Sequence, residues 1–67
     1  MNQTSQFLIK LLEFHGFIFK RAKGSHQIFY NKISNITIVV PVHGSKDIKK
    51  GTFLAILKQA GIDKSKI

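Results

Sequence analysis

Cysteine is absent from the 67 residues, which excludes disulfides, thiolate zinc sites and a cysteine nucleophile and fits a reducing compartment. All stability must therefore come from packing, in a chain so short that it buries only about 60% of the surface its unfolded form exposes. Long apolar runs are missing too. The longest, Ile36 to Val42, is interrupted by Thr37 and Pro41 and falls far short of the ~20 residues that span a bilayer. The amino terminus, Met1 to Ser5, is polar and carries no basic segment, and the apolar stretch behind it is broken by Lys10 and Glu13. No secretory signal is expected, and a soluble cytoplasmic protein is. The third shortage is acidic: three Asp and Glu stand against eleven Lys and Arg, a formal charge of +8.

What remains is ordinary for a folded protein, with 43% hydrophobic residues including six Phe, so disorder is not expected. The charge needs a counterpart. A compact body with so much like charge repels itself, and the usual relief is a polyanion whose condensed counterions are released on binding. Nucleic acid is the leading partner. A merely solubilising surface is served as well by acidic residues, and neither helix described below has the wholly basic polar face that suits a membrane surface.

From Ser5 to His15, Phe7, Leu8, Leu11, Leu12 and Phe14 recur at helical spacing, with Thr4 or Ser5 as N-cap and Gly16 where a left-handed C-cap belongs. From Phe17 to Ala22 the period shifts toward two, with Phe17, Phe19 and Arg21 on one face and Ile18 and Lys20 on the other. Lys23-Gly24 makes a turn, and Ser25 to Asn31 forms a second strand whose buried face the pattern leaves ambiguous. After a polar loop at Lys32 to Asn35, Ile36, Ile38, Val40 and Val42 alternate with Thr37, Val39, Pro41 and His43 in a third strand. Pro41 belongs at its edge or end. The loop His43 to Lys50 contains Gly44, Ser45 and Asp47, and Phe53, Ile56, Leu57 and Ala60 mark a second helix ending at Gly61. The expected fold is α+β: a single domain over residues 1–67, ordered α-β-β-β-α, with a three-stranded antiparallel meander, both helices on one face and the tail from Asp63 to Ile67 frayed.

Two clusters carry chemistry. Lys46, Lys49 and Lys50 open the second helix ahead of Gly51 and Thr52; lysines there oppose the helix dipole, so an anion should offset them. Free backbone N–H groups and the dipole add to a phosphate site, and Gly51 permits close approach of a nucleic acid backbone. A solvated lysine run is the plainer alternative. The same organisation, with lysines opening the second helix, resembles double-stranded-RNA-binding domains. The other cluster is Lys20-Arg21-Ala22-Lys23-Gly24-Ser25-His26, three cations with a turn glycine, a hydroxyl and an imidazole. RNA carries its own nucleophile, the 2′-OH. Cleavage therefore needs a base and an acid working near neutrality, and cations for the charge developing at phosphorus. His26 suits the proton transfer and Lys20, Arg21 and Lys23 the charge; a basic hairpin edge is also common in proteins that only bind. His15, at a helix C-terminus, reads as structural. His43, at a strand end beside the lysine loop, is open between a second acid–base group, a phosphate ligand and neither. Three scattered His with Glu13, Asp47 and Asp63 show no metal-ligand spacing, so neither metal nor other cofactor is expected.

Taken together, Gly16-Phe17, Lys23-Gly24-Ser25-His26, Val40-Pro41-Val42-His43-Gly44 and Lys49-Lys50-Gly51-Thr52, followed by Ile56-Leu57-Lys58-Gln59-Ala60-Gly61, resemble the HicA-type toxins over nearly the whole chain. The resemblance implies a double-stranded-RNA-binding-like fold and an mRNA interferase held inactive by a HicB-type antitoxin. It also implies that the histidine of the Gly-Ser-His segment, here His26, is catalytic. Relatives often carry a second histidine directly after it, where this chain has Gln27; the Asn31 to Asn35 loop lacks their usual polar turn, and the sequence stops soon after Ala60-Gly61. A single-histidine mechanism is expected, with RNA preference and antitoxin contact open to differ. An inert RNA-binding module and a docking face for an acidic protein are the alternatives from other classes.

Overall fold

The computed structural model describes residues 2–44 and 46–66; Met1, Ser45 of the lysine loop and Ile67 of the tail lie outside the described residues. The first helix, α1, spans Ser5–Phe14. Thr4 is its cap, with Oγ1 accepting the Phe7 N–H at 3.1 Å. At its far end the Phe17 N–H donates to the Leu12 carbonyl (2.9 Å) and the Gly16 N–H to that of Glu13 (3.1 Å). This Schellman closure needs the left-handed backbone that Gly16 supplies at φ 92°. Phe17 is thereby turned into the core. The second helix, α2, spans Lys50–Ala60 and closes the same way: Ile62 donates to Leu57, Gly61 to Lys58, and Ile62 is buried.

Between the helices lie β1 (Ile18–Lys23), β2 (His26–Asn31) and β3 (Ile36–Pro41), an antiparallel meander in the order β1-β2-β3. The α-β-β-β-α order is as expected. Strand β1 starts one residue later than its pattern suggested because Phe17 belongs to the helix closure. Its turn to β2 is Gly24-Ser25, because Lys23 pairs with His26.

On β2, Phe29 and Asn31 are buried and Gln27 half-buried, which settles the ambiguous face; Ile38 and Val40 of β3 join them. Leu8 and Leu12 of α1 and Phe53 and Leu57 of α2 pack against that side in one hydrophobic core, so both helices cover one sheet face and the other is open. The Val42 N–H donates to the Ser25 carbonyl at 2.7 Å, carrying the β2–β3 ladder one residue past Pro41. Hydrogen-bonded pairs alternate in such a ladder, so position 41 falls where its amide would face away from β2. Proline ends this edge strand without removing a bond.

Two polar devices lock the frame. The buried side chain of Asn31 donates from Nδ2 to the His15 carbonyl (3.0 Å) and accepts at Oδ1 from the N–H groups of Ile33 (2.9 Å) and Ser34 (3.3 Å). It ties the end of α1 to the β2–β3 turn. The loop ahead of α2 is anchored by buried Ile48. The Ile48 N–H donates to the Gln3 carbonyl and the Gln3 side-chain amide to the Ile48 carbonyl, both at 2.8 Å.

In the tail, Lys64–Lys66 form a 3-10 turn. Asp63 caps it, Oδ1 accepting from the N–H (2.9 Å) and hydroxyl (2.8 Å) of Ser65, and these bonds hold its carboxyl below the usual carboxylate range. Among the described residues no helix is long and apolar enough to cross a membrane.

Candidate nucleic-acid interface

The open sheet face is built from cross-strand rows. Lys23, His26 and Pro41 are Cα partners in sequence across β1, β2 and β3, and Arg21, Ile28 and Val39 form the next row. Ile18, Tyr30 and Thr37 form the third. Partners in an antiparallel ladder share a face, so His26 stands with Lys23 on one side and Pro41 on the other. All three of His26, Lys23 and Arg21 are exposed.

Strict alternation along β1 set Arg21 on the face opposite Lys20, and the structure corrects this. The β1–β2 register shifts between Phe19 and Arg21, leaving Lys20 as the extra residue of a β-bulge. The bulge breaks the period of two. Phe19 stays on the helix side, its ring edge-on to Phe29 at 5.8 Å, while Arg21 moves to the open face. The Lys20 ammonium lies 5.9 Å from the centre of the Tyr30 ring, and Lys20, Arg21, Ile28, Tyr30 and Thr37 line a shallow depression of about 370 Å³ on that face. Tyr30 is itself held by a hydrogen bond from its hydroxyl to Asn35 Oδ1 at 2.7 Å.

At the Pro41 end of the sheet the chain turns through Val42, His43 and Gly44 toward α2. The Val42–Ser25 bond sets this turn beside the Gly24-Ser25 hairpin, so the hairpin and the lysine loop, separate in sequence, meet at one end of the molecule. A cavity of about 290 Å³ opens there, lined by Pro41 and buried Ile48. His43, Lys46, Lys49 and Thr52 line it together with the Asp47 side chain. The N-cap position of α2 is Lys49, which offers no side-chain cap, and the first turn holds no acidic residue. Its free N–H groups thus face a basic rim, an arrangement that attracts anions. Gly51, in that first turn, is exposed, and a Cβ built there would touch nothing within 4 Å. Nothing inside the fold requires glycine at this place.

The hairpin residues Lys23, Gly24, Ser25 and His26, with Arg21 one row away, and the loop residues His43, Lys46, Lys49 and Thr52 therefore flank a shared corner marked by Pro41. Lys50 and Gly51 follow in the first turn of α2, whereas Lys20 lies two rows off, over Tyr30. His15 is elsewhere, its carbonyl engaged by Asn31 and its ring edge-on to Phe14 at 5.4 Å. Tyr30, Gln3 and Ile48 are the contributors the sequence pattern passed over. Among the described residues, no three His, Cys, Asp or Glu side chains gather where they could hold a metal ion.

A meander of three antiparallel strands with both helices on one face, and lysines opening the second helix, defines a double-stranded-RNA-binding-domain-like protein. Residues 6–62 match the family described as "HicA toxin of bacterial toxin-antitoxin", and the chain belongs to that family. It is the toxin of a toxin–antitoxin pair, and an antitoxin is implied as its partner. A search of curated proteins gave no match.

Proposed function

We propose that this toxin is an endoribonuclease that cleaves mRNA by attack of the internal 2′-OH, with His26 transferring the proton, and that a HicB-type antitoxin neutralises it. The supporting observation is the row Lys23, His26, Pro41 with the bulge-shifted Arg21 beside it, an exposed imidazole among cations on an open face. His26, as base, takes the 2′-hydroxyl proton while that oxygen attacks phosphorus and the P–O5′ bond breaks, with water protonating the leaving 5′-oxygen; or, as acid, it protonates the departing 5′-oxygen while water accepts the 2′-hydroxyl proton. Lys20, Arg21 and Lys23 hold the scissile phosphate, with Gly24 and Ser25 in the turn against it. Lys46, Lys49, Lys50, Gly51, Thr52 and His43 carry the strand onward over the start of α2. Because the nucleophile comes with the substrate, no metal is needed to generate it. Its target and partner belong to the cytoplasm.

A catalytically inert RNA-binding module is the second reading. It is favoured by one feature: no side-chain hydrogen bond among the described residues orients the His26 ring. Incubation of purified protein with RNA in excess chelator, followed by analysis of fragment ends, separates the two. Fragments bearing 2′,3′-cyclic phosphate and 5′-hydroxyl termini support the ribonuclease. Intact RNA under these conditions, despite measured binding, supports the inert module.

A further inference from the structure

The corner cavity contains a side chain that phosphate binding does not explain. Of the three acidic residues in the chain, Glu13 is exposed on α1 and Asp63 caps the tail turn, whereas Asp47 lines the cavity among Lys46, Lys49 and His43. It is exposed, and it takes part in none of the side-chain hydrogen bonds among the described residues. A carboxylate in a phosphate subsite repels the ligand that its neighbours attract. What it can do is accept hydrogen bonds, and only accept them.

The same cavity has apolar lining in Pro41 and buried Ile48, and its volume of about 290 Å³ suits a single planar ring system rather than a drug-sized ligand. Pro41 is also the Cα partner of His26, so a nucleotide seated over Pro41 has its own phosphate next to the imidazole. Apolar lining, flanking cations and one acceptor-only group together describe a nucleobase pocket. We propose that this cavity holds the base adjoining the scissile phosphate and that Asp47 selects a base with an exocyclic amino group, rejecting uracil. This deepens the RNA-binding reading above and rests on it.

The selection follows from the hydrogen-bonding edges. Adenine, cytosine and guanine each present an amino group that donates to a carboxylate, and guanine adds a ring N–H beside it. Uracil offers one ring N–H flanked by two carbonyl oxygens, which face the carboxylate with like partial charge. Lys46 and Lys49 keep the flanking phosphates and offset the repulsion that Asp47 exerts on them.

The test uses 2′-O-methyl hexamers of A, C and U, which bind without offering the attacking hydroxyl, titrated into wild-type protein and the Asp47→Asn variant at one fixed salt concentration. Wild-type protein is expected to bind A and C hexamers about tenfold more tightly than U, the worth of one charge-assisted hydrogen bond. In D47N, whose amide both donates and accepts, the preference should narrow to within about twofold while affinity for all three rises with the lost negative charge. Equal A/U and C/U ratios in wild-type and D47N protein overturn the inference and leave RNA binding intact. No binding of any hexamer by wild-type protein overturns the RNA reading and the inference with it.

Discussion

His26 and Pro41 are Cα partners across the β2–β3 ladder, and Pro41 also lines the cavity beside the lysine loop. Because Val42 and Ser25 form a hydrogen-bonded pair, the 26–41 pair is of the close, non-hydrogen-bonded kind, with Cα atoms about 4.5 Å apart in such ladders. The imidazole and the basic corner are therefore one surface. On the proposed reading, a strand of RNA crossing that corner would meet the hairpin cations and the lysines ahead of α2 within neighbouring nucleotides.

Gly51→Ala should separate stability from binding. Alanine in the first turn of α2 gains helix propensity and touches nothing, so the protein should become more stable by about 0.5 kcal/mol. If the nucleic acid backbone approaches at Gly51 as proposed, the added methyl obstructs it and RNA affinity should fall several-fold. Denaturant midpoints and fluorescence anisotropy measure the two effects, and unchanged affinity in a stabilised variant contradicts the role given to Gly51.

Replacing Lys49 by alanine should weaken RNA binding in a salt-dependent manner. Loss of one phosphate contact lowers the slope of log K against log salt by about 0.7 for single-stranded RNA. A variant whose affinity drops with no change of slope marks Lys49 as structural.

Asn31→Ala removes three hydrogen bonds and leaves the His15 carbonyl and the Ile33 and Ser34 amides without that partner. A loss of about 2 kcal/mol is expected in urea unfolding, with fraying of both the α1 terminus and the β2–β3 turn in hydrogen exchange. A loss below about 0.5 kcal/mol contradicts the assignment of Asn31 as the tie between them.

Gln3→Ala tests whether the lysine loop must be held in place. It deletes the bond to the Ile48 carbonyl without touching a charge. Stability should fall by about 1 kcal/mol, and RNA affinity should fall while the salt slope stays as in the wild type. Full affinity in the variant shows that the lysines need no preorganisation.

The element order, the helix ends and the position of Pro41 were legible because each depends on local chemistry: apolar periodicity, Thr4 and the glycines 16 and 61 at helix ends, and a residue without an N–H. The face of Arg21 was not. Alternation assumes an unbroken ladder, and the bulge at Lys20 is decided by how β1 packs on β2, through Phe19 against Phe29 and Lys20 over Tyr30. The anchor at Ile48 escaped for a related reason: a single apolar residue in a polar loop has no period, and its partner Gln3 lies 45 residues away. The two basic clusters could be named from the sequence, but their meeting at Pro41 depends on strand register, which cross-strand packing sets.

The most direct measurement is paired cleavage and affinity for wild-type and His26→Ala protein on the same RNA. His26 is exposed at the start of β2, outside the core, so the variant should fold and bind RNA within about twofold of wild type while cleavage falls by a factor of 10² or more. Cleavage by His26→Ala at the wild-type rate contradicts the assignment of proton transfer to this imidazole.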